Sequence, residues 1–285
     1  MQTLNLVGAG RVGQTLGRLW RANHTFALQD VLTRSAASAQ AACNFMGGGT
    51  VVTQAARMRP ADVWMLAVPD AQIAQAAAVL AAQVQYPLSQ PPIAFHCSGA
   101  QSSVLLAPLA ETGWQTASAH CILSFASAQS AALQFPGTPC ALEGTPVAIS
   151  ALQAAFTAIQ ARCFEVQAQH KLLYHAAAVF ATNFLPVLQS VAEDAWLASG
   201  VPLELLPGLR ESLLNNAVAN ITRMGPAQAL TGPAARGDVA AIATQAAAVG
   251  QWDAQAGAAY EALSALALRI AKARTDATAT AANPY

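Results

Sequence analysis

The chain has 285 residues, a length that fits one large domain or two ordinary ones and leaves ample residues for a core. Its 14 basic and 14 acidic side chains balance to zero net charge, which excludes function classes that depend on a strongly basic surface, such as binding a nucleic-acid backbone or an anionic membrane. Hydrophobic residues make up 54% of the chain and many of them are alanine, a composition that favours close-packed helices over disorder.

The first half of the chain alternates between strand-like and helical segments. Continuous apolar runs typical of strands are TLNLV, FALQDVLTRS, ADVWMLAVPD, PPIAFHCSG, WQTASAHCILSF, CALEG and ARCFEV. Segments with helical spacing separate most of them, including one near residues 146–160. Buried strands that alternate with helices predict an α/β domain with a mostly parallel sheet covered on both faces.

Strand patterns stop after about residue 167. Helical patterns then cover residues 167–199, 203–224, 238–250 and 252–273. This change predicts an α/β domain over residues 1–166 and an all-helical domain over residues 167–285. The last residues, TDATATAANPY, are expected to fray.

One helical segment is long and apolar enough to span a bilayer. Leu172 to Ala192 carries no formal charge, but it contains Asn183 and Pro186, and no basic residues closely follow it. Because polar groups are costly in lipid, we expect a buried helix of a soluble, cytoplasmic protein and no membrane partner. The N-terminus MQTLNLVGAG has no basic region typical of a signal peptide.

The cysteines favour neither a disulfide framework nor a metal site. They are scattered, and none forms a CxxC pair: Cys43, Cys97, Cys121, Cys140 and Cys163. An odd, scattered set of this kind predicts reduced thiols in a reducing compartment and no bound metal.

A glycine-rich motif joins the first strand to the first helix. It comprises Gly8, Ala9, Gly10, Arg11, Val12 and Gly13, and Gly17 follows. Gly8 permits a tight turn, Gly10 lets the backbone approach a pyrophosphate, and Gly13 and Gly17 let the helix pack on the sheet. Phosphates would then meet the helix N-terminus, where free N–H groups favour anions. The motif in this context predicts a dinucleotide site.

The end of the second strand predicts which dinucleotide is bound. An acidic residue there would accept hydrogen bonds from the ribose hydroxyls of NAD, and Asp30 lies at about the expected distance in sequence from the glycine motif. The strand pattern, however, continues to Leu32, which leaves Thr33, Arg34 and Ser35 beside the ribose. Arg34 can form an ion pair with a 2′-phosphate, and Ser35 can donate a hydrogen bond to the same phosphate. We therefore expect NADP(H) rather than NAD(H).

The next two strands also end in residues suited to a site. Val68 and Pro69 close one core strand, where proline would leave backbone groups facing the dinucleotide. His96 and Ser98 close the following strand and are expected near the nicotinamide, unless they only satisfy the turn.

Several motifs together resemble a family of Rossmann-like oxidoreductases with a helical C-terminal domain of unknown function. They are GAGRVGQTLG, TRS, ADVWMLAVPDAQIA, FHCSGA, AHCILSFA, HKLLYHAAAVFATN and ALTGPAARGD, in this order, over about residues 3–255. This family is similar to pyrroline-5-carboxylate reductases, 6-phosphogluconate and β-hydroxyacid dehydrogenases, and ketopantoate reductases.

The resemblance implies an N-terminal NADP-binding domain, a helical domain that often forms a homodimer, and a site in the cleft between them. In related dehydrogenases a lysine on the first long helix handles the proton, with a polar partner one turn later. Lys171 and His175 match that spacing, and their four-residue separation places them on one helix face. The partner in those dehydrogenases is often asparagine, so His175 is a departure, and which of the two donates the proton stays open. A purely structural alternative stays open, in which the lysine extends along the helix start to reach water and the histidine is a hydrogen-bonded core residue.

Further site residues are carried over more loosely. His120 lies in AHCILSFA, where Cys121 replaces the proline that relatives usually have, and is expected to line the pocket. Asn183 lies on the flank of the Lys171 face, and Arg236 is a candidate for a substrate carboxylate or a structural salt bridge. Asp238 is predicted to be the N-cap of the next helix, after a turn at Gly237.

These observations predict an NADP(H)-dependent oxidoreductase that transfers hydride to or from a small oxo- or imino-acid, with ketopantoate as the most concrete analogy. Two alternatives from other classes stay open. One is a non-catalytic NADP(H)-binding sensor or regulatory dimer. The other is an enzyme that uses a different nucleotide, such as a nucleotide-sugar.

Overall fold

The computed structural model describes residues 1–84 and 91–282, with side chains described as far as residue 276. The chain divides into two compact units, Met1–Thr182 and Asn183–Tyr285. The last strand ends at Glu165, close to the domain boundary predicted at residue 166. The first compact unit nevertheless extends further and includes the start of the helical region.

The first unit is built on an eight-stranded sheet in the order β3-β2-β1-β4-β5-β6-β7-β8. The strands are β1 Gln2–Val7, β2 Phe26–Leu32, β3 Thr50–Val52, β4 Val63–Leu66, β5 Ile93–His96, β6 Gln115–Cys121, β7 Pro139–Gly144 and β8 Arg162–Glu165. The first six strands pair in parallel, in the order of a doubly wound dinucleotide-binding sheet. The predicted fold class is therefore confirmed.

The last two strands extend the sheet in the opposite direction. β7 pairs antiparallel with β6, and β8 is parallel to β7. The apolar residues of these strands do not show direction, because the same residues suit a strand that runs either way along its neighbour. β3, only three residues long, has no distinct sequence signal.

Helices cover both faces of this sheet, as the alternating pattern predicts. Those of the first unit are α1 Arg11–Ala22, α2 Ala36–Met46, α3 Ile73–Gln83, α4 Ala107–Ala110, α5 Ala128–Gln134, α6 Pro146–Ala158 and α7 Lys171–Ala178. On one face, Trp20 of α1 packs edge-on against Phe95 of β5 and Phe156 of α6. On the other face, Trp64 packs against Trp114. Each of these buried aromatic side chains contributes on the order of 2 kcal/mol by area.

The second unit is helical throughout its described residues. Its helices are α8 Phe184–Ala198, α9 Leu206–Met224, α10 Pro226–Ala229, α11 Gly232–Ala235, α12 Val239–Trp252 and α13 Ala254–Ala282. Asp238 caps α12 by accepting from the N–H of Ala241 at 3.0 Å, as predicted. α13 continues to Ala282, so the expected fraying from residue 275 is wrong for residues 275–282, and the last three residues lie outside the described ones. Alanine is the strongest helix former, so the alternating alanines support a helix here despite the threonines.

A π-helical turn, Val179–Asn183, separates α7 from α8. Pro186 follows in the first turn of α8, where it lacks an N–H and its ring would clash with the carbonyl of Thr182 in a regular helix. The π-turn thus interrupts the regular α-helix three residues before this proline.

The expectation that Leu172 to Ala192 is buried is wrong for this chain by itself. Leu172, Leu173 and Phe180 are 70%, 75% and 65% exposed. Ala168–Ala198 is a helix that could cross a membrane by length and composition alone. A helix that is apolar all round predicts burial, but its sequence does not show what covers it. Such a patch on a protein surface marks an interaction site.

Candidate active site

A cleft of about 550 Å³ lies at the carboxyl ends of β1, β2 and β4. Its lining includes predicted cofactor residues from all three strand ends: Gly8, Ala9, Gly10, Thr33, Arg34, Val68 and Pro69. Ser38 and Gln72, which the sequence reasoning missed, also line it. Four other predicted cofactor residues lie outside this lining: Arg11, Val12, Gly13 and Ser35.

The glycine turn has the geometry that a dinucleotide requires. Gly8 has a φ of +82°, and a Cβ there would lie 2.5 Å from the carbonyl oxygen of Ala67. A Cβ on Gly10 would meet nothing within 4 Å, so its backbone is open. No side chain caps α1, which leaves its first N–H groups available to an anion. These residues therefore fit a pyrophosphate.

Gly13 and Gly17 both allow close packing of α1, but against different neighbours. A Cβ on Gly13 would lie 3.2 Å from the carbonyl oxygen of Gly8, within the turn itself. The nearest atom to a Cβ on Gly17 would be the sulfur of Met46, so this glycine chiefly admits α2 rather than the sheet.

The second strand ends at Leu32, so Asp30 is not at the ribose position. Asp30 is buried and forms an ion pair with Arg59, whose backbone N–H also donates to it at 2.6 Å. Arg34 lines the cleft instead, with an exposed guanidinium. Ser35 caps α2 by accepting from the N–H of Ser38 at 3.2 Å, so its role is structural and Ser38 lines the cleft.

The turn after β5 is fixed by its own side chains. Both ring nitrogens of His96 face backbone groups: Nδ1 accepts from Ser98 N–H at 3.2 Å, and Nε2 lies 3.0 Å from the carbonyl of Ser102. Burial lowers the pKa of His96. With both nitrogens engaged, His96 holds the turn, which is the structural alternative stated for it above.

Ser98 links this turn to the end of β4. Its hydroxyl donates to Asp70 at 2.6 Å and accepts from the N–H of Gln101 at 3.0 Å. The hydroxyl is thus already used in both roles. The contribution of Ser98 to the site is its carbonyl, which accepts a hydrogen bond from Lys171 at 3.2 Å.

Lys171 begins α7 and is 1% exposed, although α7 is mostly on the surface. Its Nζ also donates to Oγ of Ser118 on β6 at 2.7 Å. Burial lowers the pKa of Lys171 below its ordinary value, and the carboxylates of Glu143 and Asp70 oppose that shift. The lysine is therefore not a solvated helix start, and a lowered pKa makes its ammonium a stronger acid than that of an exposed lysine.

A buried carboxylate stands behind Lys171. Ser118 donates to Oε2 of Glu143 at 2.9 Å, and Ser103 donates to both oxygens, through its N–H at 2.8 Å and its hydroxyl at 2.7 Å. Ser118 and Glu143 are register partners on β6 and β7. The sequence reasoning missed all three residues, because their meeting depends on the antiparallel register of β7.

His120, also on β6, pairs with the next turn of α7. Its Nδ1 lies 2.8 Å from the hydroxyl of Tyr174, a residue that the sequence reasoning missed. The His120 ring also contacts His175 edge-on, with centroids 5.6 Å apart. Burial, with help from the nearby His175 and Lys171, lowers the pKa of His120 to about 4, so this ring is neutral near pH 7.

Gly99 closes the space between the two histidines. A Cβ at position 99 would lie 2.5 Å from Nδ1 of His175 and 2.8 Å from Nε2 of His120. Nδ1 of His175 is buried and has no hydrogen-bond partner among the described residues. Two imidazole nitrogens thus lie close to one glycine, and one of them is a buried polar atom without a partner among the described residues.

The structure brings five predicted residues together in the unit Met1–Thr182: His96, Ser98, His120, Lys171 and His175. The two predicted substrate residues lie in the other unit. Asn183 ends the π-turn and Arg236 follows α11. Their proposed roles stay predictions. Among the described residues, no cluster of three or more histidine, cysteine or acidic side chains could hold a metal ion.

Two family models match the chain. Residues 2–121 match a Rossmann-like domain, and residues 138–267 match the domain of unknown function DUF2520. The chain therefore joins a Rossmann-like domain to a DUF2520 domain, which is the combination that the sequence motifs resemble. Comparison with curated proteins finds no match.

Solved structures share this fold over nearly the whole chain. The protein TM1727 from Thermotoga maritima is 23% identical with a TM-score of 0.76, covering 96% of this chain and 100% of that one. The "putative NADP oxidoreductase BF3122" from Bacteroides fragilis is 20% identical with a TM-score of 0.70, covering 94% and 98%. An imine reductase from Myxococcus stipitatus in complex with NADP+ is 17% identical with a TM-score of 0.59, covering 95% and 94%. These likenesses establish a common fold.

Proposed function

We propose that this protein, a Rossmann-like domain joined to a DUF2520 domain, is an NADP(H)-dependent oxidoreductase acting on a small oxo- or imino-acid. The observation that carries the proposal is the buried ammonium of Lys171, held beside two histidines at the carboxyl edge of a dinucleotide-binding sheet. NADPH, when bound, supplies the hydride, so the chain must supply binding, orientation and a proton.

The dinucleotide cleft supports the choice of NADP(H). Gly8 and Gly10 leave room for the phosphates, and the uncapped start of α1 favours an anion. Arg34 lines the cleft next to Ser38, where the two can hold a 2′-phosphate, while Asp30 is already paired with Arg59. NADP also occurs in the names of two structures that share the fold.

Lys171 is the proposed proton donor. Its Nζ has two hydrogen-bond partners among the described residues, Ser98 and Ser118, and an ammonium has three N–H groups. The third N–H can protonate the carbonyl oxygen or imine nitrogen of the substrate as charge develops there. His120 is neutral near pH 7 and is therefore the weaker candidate for an acid.

His120 and His175 are proposed to orient the substrate. Tyr174 fixes the ring of His120 through Nδ1, which leaves Nε2 facing Gly99 beside the unpartnered Nδ1 of His175. A polar group of the substrate that reached these nitrogens from the side away from Gly99 would satisfy both. This arrangement favours an oxo- or imino-acid over an apolar substrate.

The partner is proposed to be a second copy of this chain, in the cytoplasm. Large apolar side chains on α8, α9 and α13 are exposed, including Val187 at 56%, Val218 at 55% and Leu263 at 43%. Exposed apolar faces of this extent are typical of obligate interfaces. Light scattering of the purified protein would give the mass of a dimer, and a monomer would contradict the proposal.

Turnover tests the function directly. NADPH binding is followed by its fluorescence, and turnover by the nicotinamide absorbance with a panel of 2-oxo acids and cyclic imines. We expect Lys171→Ala to bind NADPH like the wild type and to lose kcat by about 10²- to 10⁴-fold. The matched control is Lys272→Ala, since Lys272 is exposed and is the only other lysine in the sequence. Full activity in Lys171→Ala would contradict the assignment.

The same panel tests the sensor alternative. Tight NADPH binding without turnover of any substrate would favour a non-catalytic sensor. Absence of dinucleotide binding would instead favour an enzyme of a different nucleotide.

A further inference from the structure

A line of hydrogen bonds leads away from Lys171 into the sheet. Nζ of Lys171 donates to Oγ of Ser118 at 2.7 Å, and that hydroxyl donates to Oε2 of Glu143 at 2.9 Å. Lys171 is 1% exposed, Ser118 0% and Glu143 7%. The three side chains therefore form a continuous hydrogen-bonded path that is almost completely shielded from bulk water.

The far end of the path meets a second cleft. Glu143 lines a cleft of about 490 Å³ together with Gly144, Glu165 and Gln167, residues that are absent from the lining of the dinucleotide cleft. Glu143 thus lines an open cleft, and its carboxylate is joined to the Ser118 hydroxyl. Water in that cleft can exchange protons with the carboxylate without entering the dinucleotide site.

Ser118 lies between the ammonium of Lys171 and the carboxylate of Glu143, although the two charges could balance each other without it. The Coulomb attraction between a buried ammonium and a buried carboxylate would be strongest in direct contact. A hydroxyl in between accepts from one group and donates to the other, and it can reverse both bonds by rotating. Ser103 holds both oxygens of Glu143, which keeps the carboxylate aimed at Ser118.

We propose that Glu143 and Ser118 form a proton relay that reloads Lys171 from the second cleft. This inference rests on the proposed function, in which Lys171 gives one proton to the substrate in each turnover. Glu143 then takes a proton from water in its cleft. The Ser118 hydroxyl proton passes to the neutral amine of Lys171 while the Glu143 proton replaces it, which restores the ammonium, the hydroxyl and the carboxylate.

Other titratable groups act on Lys171 as well. Besides Glu143, Asp70 and Cys140 raise the pKa of Lys171, and Lys171 in turn lowers the pKa of His96 and of His120. Asp70 is exposed and hydrogen-bonded to Ser98 rather than to Lys171. Glu143 is therefore the carboxylate joined to the lysine through one hydroxyl.

Kinetics separate a relay from a structural role. At a pH low enough for Lys171 to start protonated in both proteins, we expect Glu143→Gln to keep the single-turnover rate, while steady-state kcat falls at least ~10-fold after a burst of one product per site. Ser118→Ala should do the same, and both should bind NADPH normally. Glu165→Gln, in the same cleft but outside the path, is the matched control. Equal loss of both rates, or loss of neither, would overturn the relay.

A second measurement does not depend on activity. Because the chain has two lysines, protein labelled with ¹³C-lysine gives one Lys171 signal and one internal reference from Lys272. In protein free of cofactor, we expect Glu143→Gln to lower the pKa of Lys171 further, because the carboxylate that favours the ammonium is lost, and Glu165→Gln to leave it unchanged. An unchanged Lys171 pKa in Glu143→Gln would overturn the relay.

The two measurements keep the proposals apart. If the wild-type protein turns over no substrate in the panel, the proposed function fails even when the NMR titration shows the Glu143–Lys171 coupling. If turnover is found but no burst appears in Glu143→Gln, the relay fails and the proposed function stands.

Discussion

No side chain fits between the backbone of Gly99 and the imidazole of His175. A Cβ at position 99 would lie 2.5 Å from Nδ1 of His175, far inside van der Waals contact. The turn after β5 and the first turns of α7 are thus packed closely against each other. Since Lys171 also donates to the carbonyl of Ser98 in that turn, one glycine sets how closely the helix approaches the sheet.

Gly99→Ala should therefore disturb the site without disturbing the dinucleotide cleft. The added methyl group must push apart His120 and His175, and a displacement of about 1 Å costs on the order of 10²-fold in rate. We expect kcat to fall by that order and NADPH affinity to stay the same, measured by turnover and fluorescence titration. Gly208→Ala is the control, because a Cβ there meets nothing within 4 Å. Unchanged kcat in Gly99→Ala would show that the histidines do not position the substrate.

Much of the fold follows from local sequence pattern. The strand into the glycine turn, the end of β2 at Leu32 and the capping of α12 by Asp238 all depend on residues close in sequence. The direction of β7 does not, and neither does the exposure of Leu172 and Leu173, because periodicity shows which face is apolar and not what covers it.

The residues of the candidate site also fall into those that local sequence predicts and those that it does not. Lys171, His175 and the cleft-lining glycines follow from motifs and helical spacing. Ser118, Glu143 and Tyr174 come together only through strand register and helix packing across the sheet. The sequence alone marks Lys171 as unusual. The chain has only two lysines, and this one lies at the start of an apolar helical segment.

Arg34 should decide between the two dinucleotides. Charge-assisted hydrogen bonds to a 2′-phosphate contribute about 1.5–3 kcal/mol, so Arg34→Ala should weaken NADPH binding by roughly 10- to 100-fold. NADH has no such phosphate, and its affinity should hardly change. Fluorescence titration with both cofactors measures this. Arg57→Ala, an exposed arginine outside the cleft, is the control, and equal loss for NADH and NADPH would place Arg34 away from the ribose.

Turnover should fall on the alkaline side at a pH below the ordinary pKa of lysine. Burial lowers the pKa of Lys171, and the reaction needs its ammonium form. The rate should therefore be level at lower pH and be lost as the pH rises through the lowered pKa. The dependence of kcat on pH measures this alkaline fall. NADPH affinity, measured in the same buffers, shows whether the fall comes from a loss of binding instead. A level profile up to the ordinary value of 10.5 would contradict Lys171 as the proton donor.

Acid should destabilise the fold through His120. Its pKa is 6.5 ordinarily and about 4 in the folded protein, because burial disfavours the charged ring. The unfolded chain thus takes up a proton first, so the stability from a neutral His120 is complete above pH 6.5 and is lost as the pH falls towards 4. With allowance for the partial exposure of the ring, we expect a loss of about 1–2 kcal/mol. Urea unfolding at both ends of that range should show a smaller loss in His120→Asn, and an equal loss would assign the acid sensitivity to other groups.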